Sequence, residues 1–258
     1  MLLVLDIGNA NVKLGAFQGD DLVASWRMAT DARRMPDEYG LLLLGLLQAR
    51  GIERTAIRSA ALCSVVPPLT TVFEDAIRTY LGTSTLVVGE GTETGIRILY
   101  DSPRDVGADR VVAASAAYRL YGGPAIIVEF GTATVFDAVT REGDYPGGAI
   151  HPGLQVAAEA LFTTTSQLRR VQLARPNAAI GRNTIAAIQS GVVLGHVGLV
   201  EGMVARFKAE LGQDARVIGT GGLVGLVAAE TNIFTAVSEH LILEGLRLIA
   251  EMNRGGRA

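Results

Sequence analysis

Two stretches decide the fold: Asp6-Ile-Gly-Asn-Ala-Asn-Val-Lys13 and Glu129-Phe-Gly-Thr-Ala-Thr-Val-Phe-Asp137. Each follows an apolar run, Leu2-Leu-Val-Leu5 in the first case and Ala125-Ile-Ile-Val128 in the second. Each sets a carboxylate at the end of a buried strand, a glycine two residues on, then small polar residues and a second strand. That pattern describes a β-hairpin whose tip suits phosphate. Glycine lets the backbone come close, and N–H groups at a bend bind phosphate oxygens. The carboxylate beside the bend can hold a cation or its water. A single Asp-x-Gly-Asn describes many ordinary hairpins. Two copies far apart in the chain, each behind an apolar run, indicate a duplicated nucleotide-binding architecture.

The flanking sequence supplies the remaining elements. Residues 2–7, 12–17 and 22–28 read as three strands, the last carrying Trp26 as a packing residue. Met35-Pro36-Asp37 opens a helix continued by residues 38–48 and ended by Arg50-Gly51. Residues 57–66 return as a strand closed by Pro67-Pro68, which pre-set a helix over 69–81 ending at Gly82. Residues 86–88 form another short strand, and 94–100 an extended connection. The second half repeats the start: strands at 125–130 and 135–139, a turn at 141–143, and a strand from Tyr145. Helices are expected over 111–121, 154–162, 185–211 and 241–252, the third capped by Asn183 or Thr184. Thr163-Thr-Thr-Ser166 offers a run of hydroxyls, with a helix end as the plainer account, and residues 253–258 read as a frayed terminus. The halves divide at 1–118 and 119–258.

Composition narrows the function. The 258 residues suffice for one large domain or two of about 125. Hydrophobic residues make up 49%, enough for a substantial core, and a net charge of −3 leaves no electrostatic footprint for nucleic acid. The single Cys63 excludes an intrachain disulfide and fits a reducing compartment. Met1–Leu5 is too short for a signal peptide, and residues 41–47 are too short for a membrane span. These features read as a soluble cytoplasmic protein. His151, His196 and His240 show no metal-ligand spacing with Cys63 and read as structural or solvated; only His151 is near the glycine cluster of residues 147–153. Neither a Gly-x-Ser-x-Gly elbow nor a Gly-Lys-Ser/Thr phosphate loop is present.

Asp109 and Arg110 lie early on a helix that begins near Pro103. Neighbours in sequence do not meet face to face on a helix. They can therefore act on a ligand, Arg110 gripping a carboxylate with its forked donors and Asp109 taking a proton from a hydroxyl. A solvated first helical turn explains the pair equally well. Val217-Ile-Gly-Thr-Gly-Gly222 is a strand running into a glycine turn, either a floor for a purine or ribose or an ordinary βα turn.

Taken in order, several of these stretches form a specific set: Asp6-Ile-Gly-Asn with Asn11 and Lys13; Ser64-Val-Val-Pro67; Tyr100 with Gly107-Ala-Asp-Arg110; Gly131-Thr-Ala-Thr134; Gly147-Gly148 with Pro152-Gly153; Gly181 with Asn183-Thr184; and Gly219-Thr-Gly-Gly222. Along nearly its whole length the chain resembles type III pantothenate kinases. The resemblance implies an α/β fold of duplicated ribonuclease-H-like halves, the actin-like ATPase fold, with mixed sheets flanked by helices around a nucleotide cleft. It implies transfer of the ATP γ-phosphoryl group to pantothenate, the first step of coenzyme A synthesis. Asp109 is then the general base, and Tyr100, Gly107, Ala108 and Arg110 hold pantothenate. Asp6, Gly8, Asn9, Asn11 and Lys13 form the first phosphate loop, Gly131 and Thr132 contact ATP from the second, and Gly221 and Gly222 lie on the adenosine side. The resemblance further implies a homodimer in which Thr184 reaches the partner's substrate, Mg²⁺ carried with ATP near Asp6, and K⁺ or NH₄⁺ at Glu129.

Two positions depart from the family pattern. Ala10 stands where the family has Thr or Ser, which removes a hydroxyl from the phosphate loop; one hydrogen bond to a charged group is worth ~1.5–3 kcal/mol. Glu129 stands where the family has Asp and adds ~1.5 Å of reach toward the cation. Two function classes follow, a kinase with weakened ATP handling or a non-catalytic homologue that senses pantothenate or nucleotide.

Overall fold

The computed structural model describes residues 1–254. In chain order the elements are β1 (Leu2–Ile7), β2 (Asn11–Gln18), β3 (Asp21–Ala29), α1 (Pro36–Gln48), β4 (Ser59–Ser64), α2 (Pro67–Ala76), β5 (Thr85–Val87), β6 (Arg97–Ile98) and α3 (Ala108–Tyr121). They continue with β7 (Ala125–Phe130), β8 (Ala133–Val139), β9 (Asp144–Tyr145), β10 (Gly147–Pro152), α4 (Leu154–Thr164), α5 (Thr184–Leu211), β11 (Arg216–Thr220), α6 (Val224–Ala228), β12 (Ala236–Val237) and α7 (Leu241–Met252).

The chain divides into two compact units. One comprises Met1–Gly95, Asp101–Ala116 and the C-terminal helix from Leu241; the other comprises Ile96–Tyr100 and Ala117–His240. The expected halves, 1–118 and 119–258, differ from these units in two main respects: residues 96–100 join the second unit, and α7 packs on β1, β2 and β4 of the first unit. Its buried face, including Leu241, Ile242, Leu246 and Ile249, covers that sheet. Arg247 fastens it to the β2–β3 turn, with Nη1 2.6 Å from Asp20 Oδ1 and 2.9 Å from Glu251 Oε1.

The two sheets share one topology. The first has the order β3-β2-β1-β4-β5 and the second β10-β8-β7-β11-β12. In both, the outer three strands are antiparallel and the last three parallel. Each glycine bend joins the central strand to its antiparallel neighbour, β1 to β2 and β7 to β8. The duplication inferred from two short motifs therefore extends to whole sheets. Strands β1 and β7 are buried along almost their full length, so they read as continuous apolar runs.

Local chemistry sets the element ends. Strand β4 is shorter at both ends than the expected 57–66, because a 3₁₀ turn at Arg54–Ala56 precedes it and Pro67 ends it. Helix α2 widens into a π turn at Ile77–Leu81 and stops at Gly82, whose φ of 69° is the left-handed conformation that glycine adopts freely. Asn183 Oδ1 accepts from Ala186 N at 2.9 Å and caps α5. The hydroxyls of Thr163, Thr164 and Thr165 bond back to carbonyls of Glu159, Ala160 and Leu161, which accounts for them as a helix end. The connection at 94–100 is extended at β6, held to β9 by the paired Arg97–Asp144 bonds of 2.7 and 2.8 Å. Asn253 is not frayed: it exchanges bonds with the Glu93 backbone at 3.1 and 2.9 Å. Residues 255–258 lie outside the described residues.

Helix α5, unlike residues 41–47, is long and apolar enough to cross a bilayer by length and composition. Its apolarity has a local use: Val193, Val197, Val200 and Val204 pack into the core of the second sheet with Ile126, Val128 and Val217.

Gly245 on α7 marks a close helix crossing in the first unit. A Cβ there would lie 2.6 Å from Val112 O and 2.7 Å from Val112 Cγ1 of α3. Gly245→Ala is expected to destabilise the protein by ~1–3 kcal/mol, measured as a lower urea midpoint.

Candidate active site

The first bend follows β1. Gly8 N donates to Asn11 O at 3.0 Å, which closes a short loop with Asn9, Ala10 and Asn11 exposed at its tip. Gly8 suits the tight turn, since a Cβ there would stand 3.1 Å from Asn11 O, a crowded contact. Asp6, buried at the end of β1, faces Lys13 across the hairpin, with Nζ 3.2 Å from Oδ2. Cys63 on β4 points its thiol at Asp6 Oδ1 at 3.8 Å, so the sole cysteine is a small buried group beneath the loop. Thr30, which no motif in the sequence marks, clamps the bend from β3's end. Its hydroxyl donates to Gly8 O at 2.6 Å and its backbone N donates to Ala10 O at 3.1 Å. Only the hairpin register, which pairs Asn11 with Ala29, would have brought Thr30 to this place.

Asp109 and Arg110 sit at the same end of the sheet. Val65, just past β4, donates its N–H to Ile7 O at 3.0 Å. A Cβ on Gly107 would lie 3.5 Å from Val65 Cγ1 and 2.5 Å from Asp109 Oδ1. The start of α3 therefore lies against the C-terminal ends of the parallel strands β1 and β4, where open α/β sheets bind ligands. Gly107 leaves room for the Asp109 carboxylate to fold back over it and accept from Arg110 N at 2.8 Å. A helix N-terminus favours negative charge. Arg110 is buried, so the solvated-turn account of this pair fails for it.

The second bend lies between Phe130 and Thr134, which pair across β7 and β8. Gly131 N donates to Ala133 O at 2.9 Å, and Thr132 projects outward, exposed. Two other glycines press on this loop. Gly153 donates its N–H to Thr132 O at 2.9 Å, and a Cβ there would overlap the carbonyl oxygens of Gly131 and Thr132. Gly221, at φ 95°, would bring a Cβ within 2.5 Å of Phe130 O. Strand β11 pairs Thr220 with Glu129, so the Gly221-Gly222 turn runs directly beside the second loop. Four stretches remote from one another in the sequence, those at Glu129, Gly131-Thr132, Gly153 and Gly221-Gly222, thus meet in the second unit.

Tyr100 and Thr184 also belong to the second unit. The Tyr100 ring lies over Gly147, where a Cβ would stand 3.1 Å from it, and 6.5 Å from the ring of Tyr145. Tyr145 is fully buried and donates its hydroxyl to Asp137 Oδ1 at 2.7 Å. Thr184 opens α5 and borders a groove of about 830 Å³ lined also by His151, Asn183, Leu161 and Leu168. The expected site residues thus fall into a set on the first unit (Asp6–Lys13 and Gly107–Arg110) and a set on the second (Tyr100, Glu129–Thr132, Thr184 and Gly221-Gly222).

His196 corrects the view that His151 alone lies near the glycine cluster. It is buried on α5, with Nε2 2.8 Å from Thr134 Oγ1 at the foot of the second loop. The His151 ring meets it edge-on at 5.6 Å. The signal was its position on the helix: it falls on the face carrying Val193, Val197 and Val200.

Among the described residues no three His, Cys, Asp or Glu side chains cluster as a metal site. Mg²⁺ brought by a nucleotide needs only one or two protein carboxylates beside the phosphates. Asp6, at the base of the first bend, fits that requirement.

Burial, and then the nearby His151, push the His196 pKa down from 6.5 to about 4. As pH falls below 6.5 the unfolded chain takes up this proton first, so the folded state loses stability between pH 6.5 and about 4. Urea titrations of wild type and His196→Gln are expected to show this extra loss in the wild type only.

The family described as Type III pantothenate kinase matches residues 2–206. A type III pantothenate kinase from Dehalococcoides mccartyi is 50% identical over 98% of this chain and 96% of its own length. One from Geobacter sulfurreducens is 51% identical over 98% and 100%. Among solved structures, a conserved Baf family protein from Campylobacter jejuni superposes with a TM-score of 0.63 at 17% identity, covering 98% of this chain and 99% of that one. With its two equivalent mixed sheets, the fold is the duplicated ribonuclease-H-like fold of actin-like ATPases and sugar kinases. The family match and half identity over nearly the full length lead to one conclusion: the chain belongs to the type III pantothenate kinase family.

Proposed function

We propose that this chain is a pantothenate kinase that transfers the γ-phosphoryl group of ATP to the hydroxyl of pantothenate. The observation that carries the reading is Asp109, held at the N-terminus of α3 beside the strand ends that carry the first bend. Asp109 takes the hydroxyl proton, the freed oxygen forms its bond to the γ-phosphorus, and the bond to the ADP oxygen breaks. Phosphoryl transfer asks for positioning and charge neutralisation more than covalent help. Gly8, Asn9, Asn11 and Lys13 supply those groups from the first loop, and Gly131 and Thr132 from the second. Gly221 and Gly222 take the adenosine side. Arg110 pairs with the pantothenate carboxylate, with Tyr100, Gly107 and Ala108 completing its site. Mg²⁺ near Asp6 would neutralise phosphate charge, and K⁺ or NH₄⁺ is assigned to Glu129.

The chain acts as a homodimer in this reading, with Thr184 reaching pantothenate bound mainly by the other subunit. Exposed apolar side chains around α4 and the start of α5, among them Phe162, Ile180 and Ile185, support a second copy on that face. A cytoplasmic setting suits the single, buried Cys63, and neither nucleic acid nor membrane is a partner. The relatives' names favour the kinase over the non-catalytic alternative. Ala10 then bears on the rate rather than on the kind of reaction.

A coupled assay with ATP, Mg²⁺ and K⁺ is expected to give pantothenate-dependent ADP release. Asp109→Asn is expected to lower it roughly 10²–10⁴-fold, far more than the small drop in urea midpoint from losing one negative charge at the start of α3 would explain. Full activity in that variant would refute the assignment of the base. Ala10→Thr, which restores a hydroxyl at the exposed tip of the bend, is expected to raise kcat/KM for ATP about tenfold in the same assay.

A further inference from the structure

We infer that His196 is a positioning residue for the second phosphate loop, setting Thr132 through its bond to Thr134. The inference rests on the reading that this loop holds ATP. The loop starts at Phe130 and ends at Thr134, and one imidazole touches both. Its Nε2 lies 2.8 Å from Thr134 Oγ1, and its ring centroid is 6.1 Å from that of Phe130. Thr134 is completely buried, so its hydroxyl has no access to water and depends on a protein partner. That partner comes from the middle of α5, which Val193, Val197 and Val200 anchor in the core.

The rest of the loop is fixed by backbone. Gly153 and Gly221 press on it from two other elements, and both contacts need the absence of a Cβ. The loop is thereby held at its sides by glycine and at its foot by His196, while Thr132 projects to solvent. A shift at the foot cannot be absorbed sideways, so it moves Thr132. A neutral imidazole suits this position, because its Nε2 can donate to the threonine hydroxyl or accept from it, according to tautomer. A charged ring could only donate, and would place a cation in the apolar surroundings of Phe130.

Steady-state kinetics on the full-length protein, varying ATP and pantothenate separately, provide the test. His196→Phe fills the space and removes the bond. Thr134→Val removes the same bond from the other end at constant shape. Each is expected to raise KM for ATP roughly tenfold or more while leaving KM for pantothenate within about twofold. The double variant is expected to be no worse than the single ones, because both remove one interaction. His196→Gln, which can donate or accept at a similar reach, is expected to restore most of the loss. Should His196→Phe fail to fold, Thr134→Val decides, being isosteric.

Thr132→Ala separates the inference from the reading beneath it. If Thr132→Ala leaves KM for ATP unchanged, the second loop does not hold ATP and the inference falls with it. If Thr132→Ala raises that KM but His196→Phe and Thr134→Val do not, or if their effects add in full, the inference alone is overturned. Equal rises in both KM values, unrescued by glutamine, would also overturn it, since a general loss of structure would produce them.

Discussion

The second loop exists in its present form because backbone packs on backbone. Phe130, Gly131 and Thr132 have Gly153 on one side and Gly221 on another, each close enough that a single methyl would collide. Such contacts hold main-chain atoms more rigidly than side chains can, because no rotamer change relieves them. They also oblige three remote segments, the β7–β8 bend, the start of α4 and the end of β11, to converge. The order of the second sheet follows from the same requirement: β11 must run parallel to β7 for Gly221 to arrive beside Phe130.

The first unit solves the equivalent problem with polar groups. Its bend is narrower, closed by one backbone bond between Gly8 and Asn11, and Thr30 braces it from β3 through two bonds. The buried Asp6 is paired with Lys13. A buried carboxylate without such a partner would be costly, and a lysine on the adjacent strand offsets that cost. The same sheet topology thus carries two differently built loops. Thr30 holds the main chain at position 10, so this brace does not depend on which side chain stands there.

The two bends of the candidate site were legible because tight glycine turns at strand ends leave a compositional trace. Glycine two residues past a strand-end carboxylate is visible in a linear reading, as is a Gly-Ala-Asp-Arg run before an alanine-rich helix. Thr30 and His196 left no such trace. Each is a common residue in an ordinary local context, and each acquires its role from a partner far along the chain. Arg110 was ambiguous for a related reason: whether a first-turn arginine is solvated depends on what lies over it, and only the folded chain buries it.

The sequence by itself determined the strand–bend–strand units, their duplication, the capped start of α5 at Asn183 and the family. All of these rest on interactions within a few residues or on patterns of burial that repeat with the period of the element. Tertiary structure decided the rest. It sent α7 back to the first sheet, where Gly245 lets it approach α3 and Arg247 ties it to Asp20. It also brought His196 under the second loop and Gly153 and Gly221 against its flanks. Those outcomes depend on which distant surfaces fit together, and a linear reading of one chain contains the residues that fit but not the pairing.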